Sequence, residues 1–465
     1  MGKSNTALFG AFNGVSAKAW KQKIQVDLKG ADYNGTLVWE SAEGIKVKPF
    51  YHADDPLEGH CGCPFVTHTP QMAQHIYAGR ADMANKNAKK ALQRGAEALH
   101  FLVPKEEVSF AELLAGIDLE TTRVHLQLPF LSAAHIKSAL RVASTHTSSL
   151  YFHLDPVGHL ARTGTPFIDL KKDMDEVHGL LGSGAAHLLS VDVSLYENAG
   201  AHKAQQLGYA MAHANEYLNQ LNEKGSLGQL ESLSFKVSVG GNYFFEMAKL
   251  RALRLLWASL TQAYGISVPC HILAYPTKRN KTVYGYNVNM LRTTTECMSA
   301  LLGGADTVMN TPYDALYHKS NEFGERIALN QLLLLREEAH FGKVSNAADG
   351  AYYVERLTEQ LAQQGLELLK MVERGGGFLK QLKDGTLQKK IRESAQKEQR
   401  AFDAGEHVLV GTNHYQSGED RMKDELQLYP FAKTKARKTT IEPILEKRLA
   451  EALEQKRLED EQKKP

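Results

Sequence analysis

Residues 191–218, VDVSLYENAGAHKAQQLGYAMAHANEYL, bring together side chains that can do acid–base chemistry. The run opens as an apolar strand, turns through Glu197-Asn198-Ala199-Gly200 and continues as a helix carrying Gln205, His213 and Glu216. Asp192, Tyr196 and Glu197 fall where the strand ends, the place at which α/β folds deliver polar side chains to a reacting molecule. A carboxylate there can accept a proton and a phenol can donate one, once burial or a neighbouring charge tunes them. The same three residues also suit plain hydrogen bonding inside a barrel, which buried polar groups need whatever the function. Asp155 in FHLDPVGHL carries the same two readings, and its place before Pro156 favours the fixing of a turn.

A second constellation sits in GHCGCPFVTH, where Cys61 and Cys63 lie beside His60 and His68, ligand types that zinc accepts. The single-residue gap is tighter than a zinc knuckle, and the chain has no C-x-x-C pair, so metal-free loop cysteines are expected. Four cysteines in 465 residues fit a reducing compartment better than a disulfide framework. The N-terminus MGKSNTALFG lacks an apolar secretory core but matches the M-G-x-x-x-[ST] myristoylation pattern at Gly2 and Thr6. A cytoplasmic location is the expectation. Lys+Arg 55 against Asp+Glu 53 leaves a net charge of +2 and no electrostatic case for nucleic acid. No run approaches the roughly 20 apolar residues that span a bilayer.

The elements that must position these residues follow a regular pattern. Residues 1–84 read as an arm, with one amphipathic helix at 20–29 and a hairpin in TLVWESAEGIKVKPFY turning at Glu43-Gly44. ANKNAKKALQRG then reads as a helix ended by Gly95, and apolar strands alternate with helices from there on. Strands are expected directly after Gly95, at 122–128, 148–154, 187–194, 233–239, 268–274 and 305–310, and near 350–354. NYFFEMAKLRALRLLWASL is the clearest helix, with Phe244, Met247, Ala248 and Leu255 on one stripe. About eight such units point to an α/β fold, a (β/α)8 TIM-type barrel over 85–400 with both faces of its parallel sheet covered. A Rossmann reading would want G-x-G-x-x-G after the first strand, and GSGAA at 182–186 precedes a strand instead. Residues 401–465 read as a linker and a charged amphipathic helix, with Ile441, Leu445, Leu449 and Leu453 along one side. That helix is either a solvated surface helix or one that docks on a partner.

Several long stretches together resemble the methylmalonyl-CoA mutase family, the adenosylcobalamin-dependent acyl-CoA mutases. They include WKQKIQVDLKGADYNGTLVWESAEGIKVKPFY, DVSLYENAGAHKAQQLGYAMAHANEYL, NMLRTTTECMSALLGGADTVMNTPYD and DAGEHVLVGTNHY. The resemblance implies a barrel that holds an acyl-CoA ester along its axis. It also implies adenosylcobalamin capping the barrel's carboxyl end, held by a separate C-terminal domain through a D-x-H-x-x-G histidine. The cofactor supplies the radical, and the protein positions and shields it.

This sequence departs from that pattern. His407 and His414 are the only histidines beyond residue 400, and neither sits in D-x-H-x-x-G. A cobalamin-binding flavodoxin-like domain is therefore not expected, and this chain is expected to bind no cofactor and no metal. Aligning on Ala199-Gly200-Ala201 places Leu195 where catalytic members carry a histidine. Counting back from RTTTE places His271 at a substrate-contacting arginine, and an acid after the seventh strand falls on Ala315, beside Asp314. The arginine of R-Q-Y-A-G-F falls on Ala73, with Gln74 kept. No catalytic residue is then expected, and Asp192, Tyr196 and Glu197 remain only as weak candidates. The resemblance thus implies a smaller, non-catalytic chain whose arm embraces a large catalytic subunit, adenosylcobalamin residing in that partner. The alternative is a substrate-binding barrel subunit of a split mutase, working with a separate cobalamin-binding protein.

Overall fold

The protein is described here by a computed structural model over residues 14–55, 69–433 and 437–463. Gly2, Thr6, His60, Cys61, Cys63 and His68 lie outside the described residues. Eight parallel strands close into a barrel: β1 (Gln71–Tyr77), β2 (Ala98–Leu102), β3 (Arg123–Gln127), β4 (Leu150–Leu154), β5 (His187–Asp192), β6 (Leu233–Val239), β7 (Cys270–Pro276) and β8 (Thr307–Met309). Strand β8 pairs with β1 through Thr307↔Gln71 to Met309↔Ala73, which completes the ring. The expected (β/α)8 barrel is present.

Its boundaries differ from the sequence reading in two places. The first barrel strand, β1, lies inside the stretch read as an arm, and the strand expected near 350–354 is the start of the helix Tyr352–Arg374. QMAQHIY escapes an apolar-run search because alternate residues face a polar barrel interior, and AYYV misleads because aromatic and β-branched residues also begin helices. The stripe expected on the helix Tyr243–Ala263 is also different: Phe244 is exposed, while Glu246, Lys249, Arg251 and Arg254 are buried. Their charges are matched internally, as in Lys249 to Glu246 at 2.6 Å and Arg254 to Asp306 at 2.8 Å, so this helix is covered nearly all round.

The outward side chains of the strands, among them Leu99, Phe101, Val124, Leu126, Phe152, Val191, Phe235 and Ile272, form the main core against the helices. The barrel axis encloses a separate small apolar group, Ala73, Ala98, Leu273 and Met309. The other inward positions are largely polar, among them His75, His100, His125, Ser234 and Lys236.

The arm packs on its own barrel. Its hairpin, Trp39–Glu40 against Lys46–Val47, buries Ile45 and Val47. Glu43 at the turn accepts the backbone N–H of Lys203 at 3.1 Å, and its carbonyl accepts from Gln364 at 3.2 Å. The preceding helix, Ala17–Asp27, buries no residue; Ser16 caps it and Trp20 stacks on Phe50 at 4.4 Å.

The C-terminal segment is not the amphipathic helix that its leucine spacing suggests. Helix forms only over Glu451–Lys463, and its buried residues are Glu451, Glu454 and Glu461. These acids accept backbone N–H groups: Glu454 from Val283 at 2.7 Å, Glu461 from Met422 at 2.9 Å, and Glu451 from Ala432 at 3.1 Å. Residues 437–450 run as a strap across the loops that follow β4, β5 and β7. The backbone N–H of Ile444 donates to Ala161 at 2.7 Å, that of Lys447 to Asn198 at 3.0 Å and that of Leu449 to Arg279 at 2.9 Å.

Candidate functional site

Five strands carry a histidine between flanking residues: QHI, LHF, VHL, FHL and CHI. A two-residue side-chain period then turns all five inward. His75, His100 and His125 stand in register across β1, β2 and β3, and His125 faces Tyr151 of β4. His75 and His100 share a hydrogen bond at 2.9 Å, and His125 and His153 another at 3.1 Å. His271 bonds Thr307 at 3.1 Å, and its ring lies 4.4 Å from that of Tyr151, which stacks on His187 at 3.9 Å. The axis is therefore filled by six imidazoles and a phenol. Burial pushes His75 down to about 4 and His271 down to about 3, and holds His100, His125 and His153 well below the ordinary histidine range. All five are uncharged at neutral pH.

At the carboxyl end of the strands a cavity of about 460 Å3 opens above His75 and His100. Asp192, ending β5, is its electrostatic centre. It pairs with Arg162 at 2.9 Å and with Lys236 of β6 at 3.2 Å, and it accepts from the hydroxyl of Ser194. Burial works against its charge, yet Lys236 and then Arg162 hold the carboxyl well below the usual carboxylate range. Lys236 also donates to Gln127 at 3.1 Å, and the phenol of Tyr275 donates to Ser194 at 2.7 Å. The strap closes the row, since Glu446 pairs with the other side of Arg162 at 2.8 Å.

Of the three weak candidates only Asp192 reaches this cavity. Tyr196 is fully buried and shares a hydrogen bond with His213 at 2.9 Å. Glu197 is buried against Lys249 at 3.4 Å, and burial, with Glu246 nearby, raises its carboxyl despite Lys249. Asp155 caps the helix Pro156–Thr163 by accepting from Gly158 at 2.7 Å. It does more than fix a turn: it also accepts from Tyr217 at 2.6 Å and from the backbone N–H of Asp192 at 2.8 Å, and faces His213 at 2.9 Å.

The positions aligned with family catalytic residues scatter. Ala73 is buried on the axis, His271 lies deeper on the same axis, and Ala315 is on the cavity rim with Asp314. Leu195 is fully buried in the main core, and its neighbour Ser194 is the residue that lines the cavity. Sequence reasoning missed Arg162, Lys236, Ser194, Tyr275 and the histidine column. The repeated histidine in five strands was the available signal for the column; Arg162 and Lys236 carried none, because their partners come from distant segments. Among the described residues no group of three or more His, Cys, Asp and Glu is set to hold a metal ion, and no helix is long and apolar enough to cross a membrane.

The mouth does not fit adenosylcobalamin, because the strap already lies over the strand ends with Glu446 seated on Arg162. An acyl chain threaded along the axis meets the imidazoles of His75, His100, His125 and His153.

Fold and site together define a (β/α)8 barrel whose axis is filled and whose mouth is strapped. The methylmalonyl-CoA mutase family profile matches residues 109–463. The chain is 32% identical over 460 residues to a methylmalonyl-CoA mutase small subunit of Porphyromonas gingivalis, covering 92% of this chain and 74% of that one. It is 31% identical over 424 residues to the small subunit of Streptomyces virginiae, covering 83% and 68%, and 28% identical over 454 residues to the methylmalonyl-CoA mutase of Cereibacter sphaeroides, covering 85% and 64%. The chain belongs to the methylmalonyl-CoA mutase family, as a small subunit.

Proposed function

We propose that this chain is the non-catalytic partner in an adenosylcobalamin-dependent methylmalonyl-CoA mutase, supporting a large subunit that interconverts methylmalonyl-CoA and succinyl-CoA. The observation that carries this reading is the filled axis: His75, His100, His125, His153, His271 and Tyr151 occupy the space in which an acyl-CoA ester would lie. The relatives named small subunit support pairing with a large one. The exposed helix Ala17–Asp27, with Trp20 and Val26 in solvent and Val15 exposed just before it, is a part of the described arm that can meet that partner.

The test is co-expression with a full-length large subunit. A 1:1 complex is expected, with adenosylcobalamin absorbance tied to the large subunit and none on this chain alone. Ala315→Trp, which crowds the rim, should leave turnover of methylmalonyl-CoA within about twofold, under about 0.5 kcal/mol. A hundredfold loss with the complex intact would replace this reading with that of a working barrel in a split mutase.

A further inference from the structure

The cavity at the barrel mouth is a built site, and its chemistry differs from that of an anion pocket. Its walls are largely the carbon faces of Tyr77, Leu102, Tyr275, Met309 and Leu428. Its volume of about 460 Å3 lies within the range of small-molecule sites and holds about fifteen water-sized groups. Tyr77 is 60% exposed and Leu428 40%, so the opening lies between them.

The buried charges at the floor are already matched. Lys236 meets Asp192, and Arg162 meets Asp192 and Glu446. An anion arriving at this floor must displace one of these internal carboxylates and leave it buried without its partner, which is strongly unfavourable; the other lining cations, Lys278 and Lys319, lie at the exposed rim. A cation arriving at the floor meets Lys236 and Arg162, while the acids Asp314 and Glu325 stand elsewhere in the lining. A neutral guest disturbs neither arrangement.

The floor also leaves polar capacity unspent. Two of the three N–H donors of Lys236 go to Gln127 and Asp192, and the third has no acceptor among the described residues. His100 is 2% exposed, and its Nε2 has no hydrogen-bond partner among the described residues. A buried polar atom in that condition costs free energy that a hydrogen-bonding guest recovers.

We propose that the mouth cavity binds an uncharged, largely apolar small molecule with one hydroxyl or carbonyl head. The head sits at the floor between His100 and Lys236, and the body lies against Leu102, Met309 and Leu428. The site stands whether or not the barrel is catalytically silent, because binding needs no reacting group.

The probe is 2-naphthol, a neutral bicycle with one hydroxyl, titrated onto the full-length chain and read by calorimetry and saturation-transfer NMR. Naphthalene removes the head, and 2-naphthoate replaces it with a charge. Saturable binding of 2-naphthol is expected, at least tenfold tighter than that of 2-naphthoate. Met309→Trp, which fills the cavity, should abolish it, and Leu428→Trp at the exposed rim should weaken it even if the first variant folds poorly. His100→Leu should weaken 2-naphthol about tenfold and leave naphthalene unchanged. Non-saturable uptake, uptake indifferent to Leu428→Trp, or tighter binding of 2-naphthoate would each overturn the proposal; the last would make this an anion site.

Discussion

At the scale of single residues, the histidine column is the feature with the largest measurable consequence. His75, His187 and His271 sit at about 4, about 4 and about 3 because burial disfavours their charged forms. In the unfolded chain the same side chains titrate near 6.5. A depressed folded value means that the unfolded state binds protons first, so this contribution is complete above about pH 6.5 and is lost as the pH falls toward about 4. Each histidine that stays neutral should remove about 2 kcal/mol between pH 6.5 and pH 5. Urea midpoints at pH 7.5, 6 and 5 should fall steeply, and His125→Phe should flatten the curve; a midpoint constant across that window would contradict a neutral column. Five histidines were legible as a repeat in the sequence, but their direction was not. Inward and outward faces of a strand exchange on a one-residue shift of reading, and only the closed barrel fixes which face is which. The 2.9 Å bond between His75 and His100 joins Nδ1 to Nδ1, so one ring must carry the proton and the other must accept it. The two rings are therefore opposite tautomers, and exchanging them turns the His100 Nε2 from donor to acceptor without moving a heavy atom.

At the scale of elements, the turn between β5 and the helix Lys203–Glu223 shows how tightly the scaffold is set. Gly200 sits at φ +96, and a Cβ there would lie 2.5 Å from the Cβ of Ala395. Both the left-handed backbone and the contact with a second helix exclude a side chain. Gly200→Ala should cost more than about 3 kcal/mol, whereas Gly225→Ala, at φ +65 with open space around it, should cost about 1 kcal/mol. Thermal melts of the two variants side by side check the ranking, and equal losses would remove the packing half of the explanation. The E-N-A-G turn was readable because glycine after short polar residues marks a reversal of the chain. Strand β1 was not readable, because Gln71, Gln74 and His75 interrupt its apolar residues, and His75 faces an interior that sequence statistics expect to be apolar. The terminal leucines misled for a related reason: Ile441, Leu445 and Leu449 share a helical spacing, but the backbone there satisfies its hydrogen bonds on the barrel loops instead.

At the scale of the whole molecule, arm and strap hold the barrel from opposite ends of the chain. The hairpin fixes the helices Lys203–Glu223 and Tyr352–Arg374 through Glu43, and the strap fixes the loops after β4, β5 and β7. Glu446 on Arg162 is one of the strap's charged anchors, with Glu442 on Arg392 and Arg448 on the Lys281 carbonyl. Glu446→Gln keeps its length and removes its charge, so amide exchange at Ile444, Lys447 and Leu449 should speed about tenfold, with the helix Glu451–Lys463 unchanged. Unchanged exchange along the whole segment would show that the Glu446 charge has no part in holding it. The strap's partners lie far back in the chain, as in Thr440 bonding Gly164 across 276 residues. Ribosomes add about 5–20 residues per second, and domains form as they emerge. All eight strands are thus made well before residues 437–450 leave the exit tunnel. During synthesis the strand-borne walls of the mouth precede Leu428 and the strap's Glu446, so a molecule already in the cell can meet a wider mouth before the strap is laid across it.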